Sequence, residues 1–361
     1  MPIPPSLTRT PAARVVLAVG LGAAGGALFA YLRAPLPWMI GASAITTAAA
    51  LAGAPIHVPR RSNAVVVPVL GVMLGSAFTP ETLADLAGWW PSVIALLLYA
   101  ALMAGVFSTL LRRRFGFGAA SAYFSSVPGG NVAMYTVGTA MGGDARTISL
   151  IHNTRALLTV ITIPFWFRLF QGYEPAGFAV PGPAANTIGL DDALVLGVCA
   201  VLGFWVANLA RVPAPFLIGP MLLSAAAHVT GLTDASPPGI LVAIAQVLIG
   251  TSMGCRFTGV SIRDVANLMA IGAVMGIVMM LVAAAAAGAI SHATGLSFAA
   301  LLLAFAPGGL AEMALISLAL GIDTAFVSTH HLIRLSAIML FAPVFFRIVE
   351  TRLGSGNESK S

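Results

Sequence analysis

Charge is what this sequence has least of. Only 8% of its 361 residues are charged and 58% are hydrophobic, whereas soluble domains carry about 25% charged side chains. With a mean hydropathy of +0.96, the composition excludes a soluble globular protein and implies one that crosses a bilayer many times. Cysteine is almost missing. Cys199 and Cys255 both lie in apolar runs, which reads as two buried thiols and excludes a disulfide framework. No dense group of His, Asp, Glu or Cys at ligand spacing occurs, so neither a metal nor another cofactor is expected. Basic runs are missing too. None is longer than Arg112 to Arg114, so a pI near 10.0 needs no nucleic-acid partner. The longest polar connection, residues 171–192, is too short to hold a DNA-binding domain.

What the sequence does have, it has twice. VPGGNVAMYTVGTAMGGDARTISLIHNTRALL begins at Val127, and APGGLAEMALISLALGIDTAFVSTHHLIRLSA begins at Ala306. At that single offset Pro128, Gly129, Gly130, Met134, Gly142, Asp144, His152 and Arg155 fall on Pro307, Gly308, Gly309, Met313, Gly321, Asp323, His331 and Arg334. Further upstream PLPWMIG at 35–41 matches PAPFLIG at 213–219, and GVMLGSAFT at 71–79 matches GTSMGCRFT at 250–258. The chain therefore divides into a first membrane repeat (1–170), a Pro- and Gly-rich linker (171–192), a second repeat (193–348) and a tail (349–361). Internal repeats of this size in a membrane chain suggest transporter architecture.

Each repeat shows six apolar segments. In the first they lie near 14–32, 35–53, 63–79, 90–111, 117–142 and 147–168. In the second they lie near 193–210, 213–232, 238–255, 265–289, 297–320 and 325–346. Arg9 and Arg14 precede the first of them, which reads as a membrane helix because no small-residue cleavage site follows it. The fifth segment of each repeat is the one broken by Pro-Gly-Gly. If it crosses, the halves are parallel; if it enters and turns back, five crossings remain per half and the halves are inverted.

Arginine placement favours the second arrangement, because cytoplasmic loops carry the excess of Lys and Arg. With the N-terminus inside and the fifth segments re-entrant, Arg9, Arg14, Arg60, Arg61, Arg112, Arg113, Arg114, Arg146, Arg211, Arg256, Arg263, Arg347, Arg352 and Lys360 are cytoplasmic. Only Arg33 and Arg168 are then outside. With crossing fifth segments the bias weakens. The expected fold is all-α, with two inverted repeats of five transmembrane helices plus one re-entrant or broken segment each. Both termini are expected on the cytoplasmic side of the inner membrane.

Several residues stand out as site candidates. Pro128, Gly129 and Gly130, with Pro307, Gly308 and Gly309, unwind a helix and free backbone groups that need partners in hydrocarbon. Substrate or ions can supply those partners; so can neighbouring helices around a plain kink. Asn131 and Glu312 flank the breaks but are not equivalent, since they align with Leu310 and Ala133. A carboxylate in an apolar segment points to a proton or cation site, or to an ion pair with a buried arginine. His152 and Arg155, like His331 and Arg334, share one helix face. They suit an anion clamp, a partner for Glu312 or an interhelical tie. The Gly71/Gly75 and Gly250/Gly254 pairs read as close helix packing. Trp89 and Trp90 read as an interfacial belt.

The doubled APLPWMIGAS and VPAPFLIGPM blocks, with VPGGN and APGGLAEM, resemble the AbrB-type integral membrane proteins, a family defined by this duplication. The resemblance covers about 14–348. Members are labelled ammonia monooxygenases or membrane regulators of gene expression. The layout is more distantly similar to the cation:proton antiporter and anion transporter superfamily, whose inverted halves bring broken segments together at the midplane. What carries over to individual positions is limited to the two Pro-Gly-Gly turns. A transporter-like protein is expected. It would move a small solute by alternating access, with proton or sodium coupling and without catalytic residues. Its partners would be the lipid bilayer and that solute, and a homodimer is compatible with the chain. The alternatives are indirect regulation of gene expression and, less well supported by ligand residues, a membrane monooxygenase.

Overall fold

A computed structural model describes residues 10–174, 177–178, 183–184, 187–212 and 214–358. Arg9, Pro213, Lys360, the end of the tail and parts of the linker lie outside the described residues. All regular structure among them is helical, in the order α1 (Pro11–Tyr31), α2 (Pro37–Leu51), α3 (Arg60–Gly75), α4 (Pro80–Asp85), a single 3-10 turn (Leu86–Trp89), α5 (Trp90–Phe115), α6 (Ala119–Ser126), α7 (Asn131–Ala140) and α8 (Ala145–Phe170). The second repeat gives α9 (Leu190–Leu209), α10 (Pro215–Val229), α11 (Gly239–Cys255), α12 (Ile262–Thr294), α13 (Phe298–Phe305), α14 (Leu310–Ala319) and α15 (Thr324–Glu358). Among the described residues six stretches are long and apolar enough to cross a membrane: α1, Pro80–Phe115, α8, α9, Val265–Thr294 and Thr324–Ile348. Pro37–Leu51, Val66–Gly75, Pro215–Val229 and Gly239–Cys255 are shorter apolar helices.

Helix ends follow from local chemistry. Thr10 caps α1 by accepting from the Ala13 amide at 3.3 Å, with Pro11 in the first turn. The Pro-x-Pro blocks start α2 and α10 with proline at the first turn. Around these blocks non-glycine residues occupy the left-handed region at Arg33, Leu36, Arg211 and Ala214, with φ of 50°, 41°, 55° and 46°. Each costs about 1–3 kcal/mol unless the surroundings over-determine it. The two repeats share this strain at equivalent places. Arg112, Arg113 and Arg114 fill the last turn of α5 before Gly116, where cations complement the helix dipole.

The described chain forms two compact units, and each draws on both repeats. One comprises Met1–Ala87, Val160–Ala266 and Ala314–Ala325; the other comprises Gly88–Thr159, Asn267–Met313 and Phe326–Ser361. In the first unit, helices meet at glycines so closely that no side chain would fit. A Cβ on Gly41 would lie 2.2 Å from the Gly25 carbonyl oxygen, and one on Gly219 would lie 2.1 Å from that of Gly203. The packing then crosses between repeats. A Cβ on Gly71 would meet the Leu217 carbonyl at 2.5 Å, and one on Gly250 the Met39 carbonyl at 2.4 Å. Met39 and Leu217 are equivalent residues, so α3 approaches α10 as α11 approaches α2. Such reciprocal contact is what a twofold relation between repeats produces. The Gly-xxx-Gly pairs serve close packing, as expected of small-residue spacing.

The second unit settles the fifth segment. The α6–Pro-Gly-Gly–α7 segment doubles back on itself. Ser121 near the start of α6 accepts a hydrogen bond from the Asp144 amide beyond the end of α7, at 2.8 Å. A Cβ on Gly138 in α7 would sit 2.9 Å from the Cβ of Phe124 in α6. A segment crossing the bilayer would hold these ends about 30 Å apart. The segment is a hairpin, which accords with a re-entrant fifth segment and with inverted repeats. A core of Phe124, Val127, Met134, Ile148, Ile338 and Phe346 wraps the hairpin. Trp89, read as interfacial, is instead buried against Phe326 at 5.0 Å between ring centroids, while Trp90 is exposed.

Asp144 closes the hairpin and starts α8. Its carboxylate accepts from the Thr147 amide at 2.7 Å, and hydrogen bonding by Thr147 holds the carboxyl below its usual range. That contribution is full above the ordinary carboxyl pKa and is lost as pH falls through the lowered folded value. Asp144→Ala is expected to cost about 1 kcal/mol. The loss shows as a lower melting temperature in detergent at neutral pH, and the gap to wild type closes in acid.

Candidate functional site

Every site candidate named from the sequence lies in the second compact unit. Both breaks leave carbonyls without helical partners at the C-terminal ends of α6 and α13. The buried His and Arg of the following long helix satisfy them. In the first repeat His152 binds the Phe124 carbonyl through Nε2 at 2.7 Å, and Arg155 Nη2 donates to the Val127 carbonyl at 3.1 Å and to His152 Nδ1 at 3.0 Å. In the second repeat His331 binds the Leu303 carbonyl through Nε2 at 2.9 Å, and Arg334 Nη2 donates to His331 Nδ1 at 2.8 Å. Arg334 also donates to the carbonyls of Ala306 at 2.8 Å, Gly308 at 3.0 Å and, weakly, Phe305 at 3.4 Å.

These bonds fix the histidine tautomers. A carbonyl only accepts, so Nε2 carries the proton, and Nδ1 must be bare to accept from the guanidinium. Both rings are therefore neutral imidazoles holding an arginine in place. Arg155 and Arg334 are 1% and 2% exposed. The Tyr99 hydroxyl donates to the Met279 carbonyl at 3.0 Å, and Met279 sulfur accepts from Arg155 Nη1 at 3.8 Å.

The two breaks converge on Arg334. Its bonded atoms serve the second turn. Its Nε faces the first turn, 3.5 Å from the point a Cβ on Gly129 would occupy. Gly130 lies against Leu335 of α15. The turns share a sequence but not a backbone. Gly129 and Gly130 have φ of 128° and 62°, and neither Gly308 nor Gly309 is left-handed.

The residues that break the symmetry are tied differently. Asn131 donates its amide to the Asn153 side-chain carbonyl, and Asn153 donates to Ser149 Oγ at 3.2 Å. Glu312, in the first turn of α14, folds back over the turn before it. A Cβ on Gly309 would lie 2.0 Å from Glu312 Oε2. Gly309 thus gives the carboxylate room to lie against the helix N-terminus, where an anion is stabilised. Arg334 spends its terminal nitrogens on carbonyls and His331, not on Glu312. His330 ties α15 to α5 through Ser92 Oγ at 2.8 Å. Tyr99, Ser121 and Met279 were not singled out by sequence. No repeat partner or motif marks them, and only the fold brings them to the breaks.

A model of the family described as "Transition state regulatory protein AbrB" matches residues 38–350. The chain belongs to the AbrB family. It is 28% identical over 364 residues to the "Uncharacterized protein YhjN" of Bacillus subtilis (strain 168), covering 95% of each chain. It is 25% identical over 325 residues to the "Putative regulator AbrB" of Escherichia coli (strain K12), covering 90% of this chain and 92% of that one. Among the described residues of this AbrB-family chain, no three His, Cys, Asp or Glu side chains gather as a metal site.

Proposed function

We propose that this AbrB-family protein is a transporter of a small solute, working by alternating access around its two broken segments in the cytoplasmic membrane. The observation that carries the reading is the meeting of both Pro-Gly-Gly turns at Arg334, inside one compact unit of an inverted-repeat membrane protein. Irregular backbone at membrane depth is tolerated where it is buried in protein or lines a cavity, and paired discontinuous helices in inverted repeats are how secondary transporters build midplane sites. The bias of Arg and Lys supports a cytoplasmic location for both termini. Glu312 is the candidate for proton or sodium coupling, because it is the one acidic residue within the broken segments α6–α7 and α13–α14.

The second reading is indirect control of gene expression, which the printed name of the Escherichia coli relative favours. A transported signal or a bound partner would have to mediate it. Proteoliposomes loaded with a pH-sensitive dye separate the two readings. A panel of small organic acids, amino acids and amines is offered under imposed proton or sodium gradients. Wild type is expected to move at least one of them. Glu312→Gln is expected to abolish the coupled ion flux, and Gly308→Ala to slow solute movement. Identical flux from wild type and both variants with every solute that moves would overturn the site. Liposomes that move nothing would overturn transport.

A further inference from the structure

We propose that the N-terminus of α7, together with the Nε edge of Arg334, binds one small carboxylate anion, and that Glu312 is its built-in counterpart on α14. The inference rests on the transport reading and names its substrate class.

Three observations carry it. The first is the equivalence of α7 and α14. Each is a ten-residue helix starting directly after Pro-Gly-Gly, with free amides and a positive end directed at the break. On α14 that end is matched from within, because the Glu312 carboxylate is folded against Gly309. On α7 the equivalent residue is Ala133, and α6 and α7 contain no acidic side chain.

The second observation is a deficit of negative charge. The membrane segments of this unit bury two guanidinium groups, Arg155 and Arg334. Among their described side chains Glu312 is the one carboxylate; Asp144 sits in the loop that caps α8. Buried charges are stable when paired, and two cations with one fixed anion leave one to be supplied.

The third is the unused hydrogen-bonding edge of those same cations. Arg155 Nε is buried with no acceptor among the described residues. The hydrogen bonds of Arg334 all come from its terminal nitrogens, while its Nε faces Gly129 in the turn that leads into α7. A carboxylate at α7 would accept from the Arg334 Nε and from the first-turn amides. Glu312 specifies the class, since it lays a carboxylate against the equivalent helix end of the other repeat.

The test is equilibrium binding of radiolabelled acetate to the purified full-length protein in detergent. Wild type is expected to bind one acetate per chain. Ala133→Glu places a tethered carboxylate on α7 and is expected to bind none, whereas Ala133→Gln, of the same size without the charge, keeps the site. Glu312→Ala frees α14 and is expected to raise the stoichiometry to two. Absence of saturable acetate binding to wild type overturns the proposal. So does a folded Ala133→Glu variant that binds like wild type, or chloride displacing acetate as well as propionate does. Binding is read without a membrane. Acetate binding with no flux therefore sinks transport alone, and flux with no acetate binding sinks this site alone.

Discussion

Replacing Arg334 with methionine is expected to cost the protein most of its stability. The guanidinium satisfies the carbonyls of Ala306 and Gly308, part of that of Phe305, and His331 Nδ1. A buried acceptor left unsatisfied costs about 1–3 kcal/mol, and removing the buried cation offsets only part of the sum. The total approaches the roughly 5–15 kcal/mol by which a typical protein is stable. Arg155→Met gives up less: one carbonyl, His152 Nδ1 and a long contact to sulfur. Thermal melting of the purified variants in detergent should rank wild type above Arg155→Met and Arg155→Met above Arg334→Met. The last is expected to be largely lost as aggregate on size exclusion. An Arg334→Met protein that melts with wild type would show that the carbonyls of the second break find other partners at little cost.

Placing a methyl group on Gly41 or Gly219 is expected to do comparable damage by a different route. The added Cβ would lie 2.2 Å from the Gly25 oxygen or 2.1 Å from the Gly203 oxygen. The obstacle is backbone in both cases, so no side chain can rotate away. Overpacking costs about 1–3 kcal/mol where neighbours can yield. Two helices pressed together through their main chains sit at or above the top of that range. Gly105→Ala is the control, because nothing lies within 4 Å of its added carbon. It should be neutral or stabilising by up to about 1 kcal/mol through helix propensity. Melting curves for Gly41→Ala, Gly219→Ala and Gly105→Ala decide the matter. Equal curves for all three would mean that the close approach carries no energetic weight.

Much of this was legible in the residues. Eleven of the twelve apolar segments match the observed helices or helix pairs to within about five residues, and the last, read as ending near 346, continues in α15 to Glu358, because long apolar runs bounded by Pro, Gly and Arg leave little freedom. The direction of the fifth segment was readable only indirectly, from arginine bias; its direct proof, Ser121 bonded to Asp144, spans a separation that no local pattern signals. The short α4 was missed, although Thr79 caps it through the Thr82 amide with Pro80 in its first turn. The sequence pointed to His152, Arg155, His331 and Arg334 without choosing their work. Charge in an apolar segment says that a partner exists; it does not say that the partner is a carbonyl released by proline and glycine 28 positions earlier. Glu312 invited pairing with arginine on charge alone. The structure folds it onto Gly309 instead, because a glycine beside a helix N-terminus offers both space and favourable potential.

The sharing of each compact unit between the repeats has a consequence for how the protein is made. The chain leaves the ribosome from its N-terminus, yet α2, already packed on α1, and α3 find their remaining close neighbours in α11 and α10. The last membrane helix supplies the cap for the second break and the face against which the first turn packs. Neither unit can close until nearly the whole polypeptide has been inserted. Native contacts of such sequence separation slow folding and lengthen the exposure of unfinished surfaces. The first repeat must therefore wait in the bilayer with Gly71 uncovered and the arginine that faces its Pro-Gly-Gly turn still unsynthesised. Truncation after the linker would leave a chain that inserts but lacks the α10 and α11 faces on which α3 and α2 complete their packing.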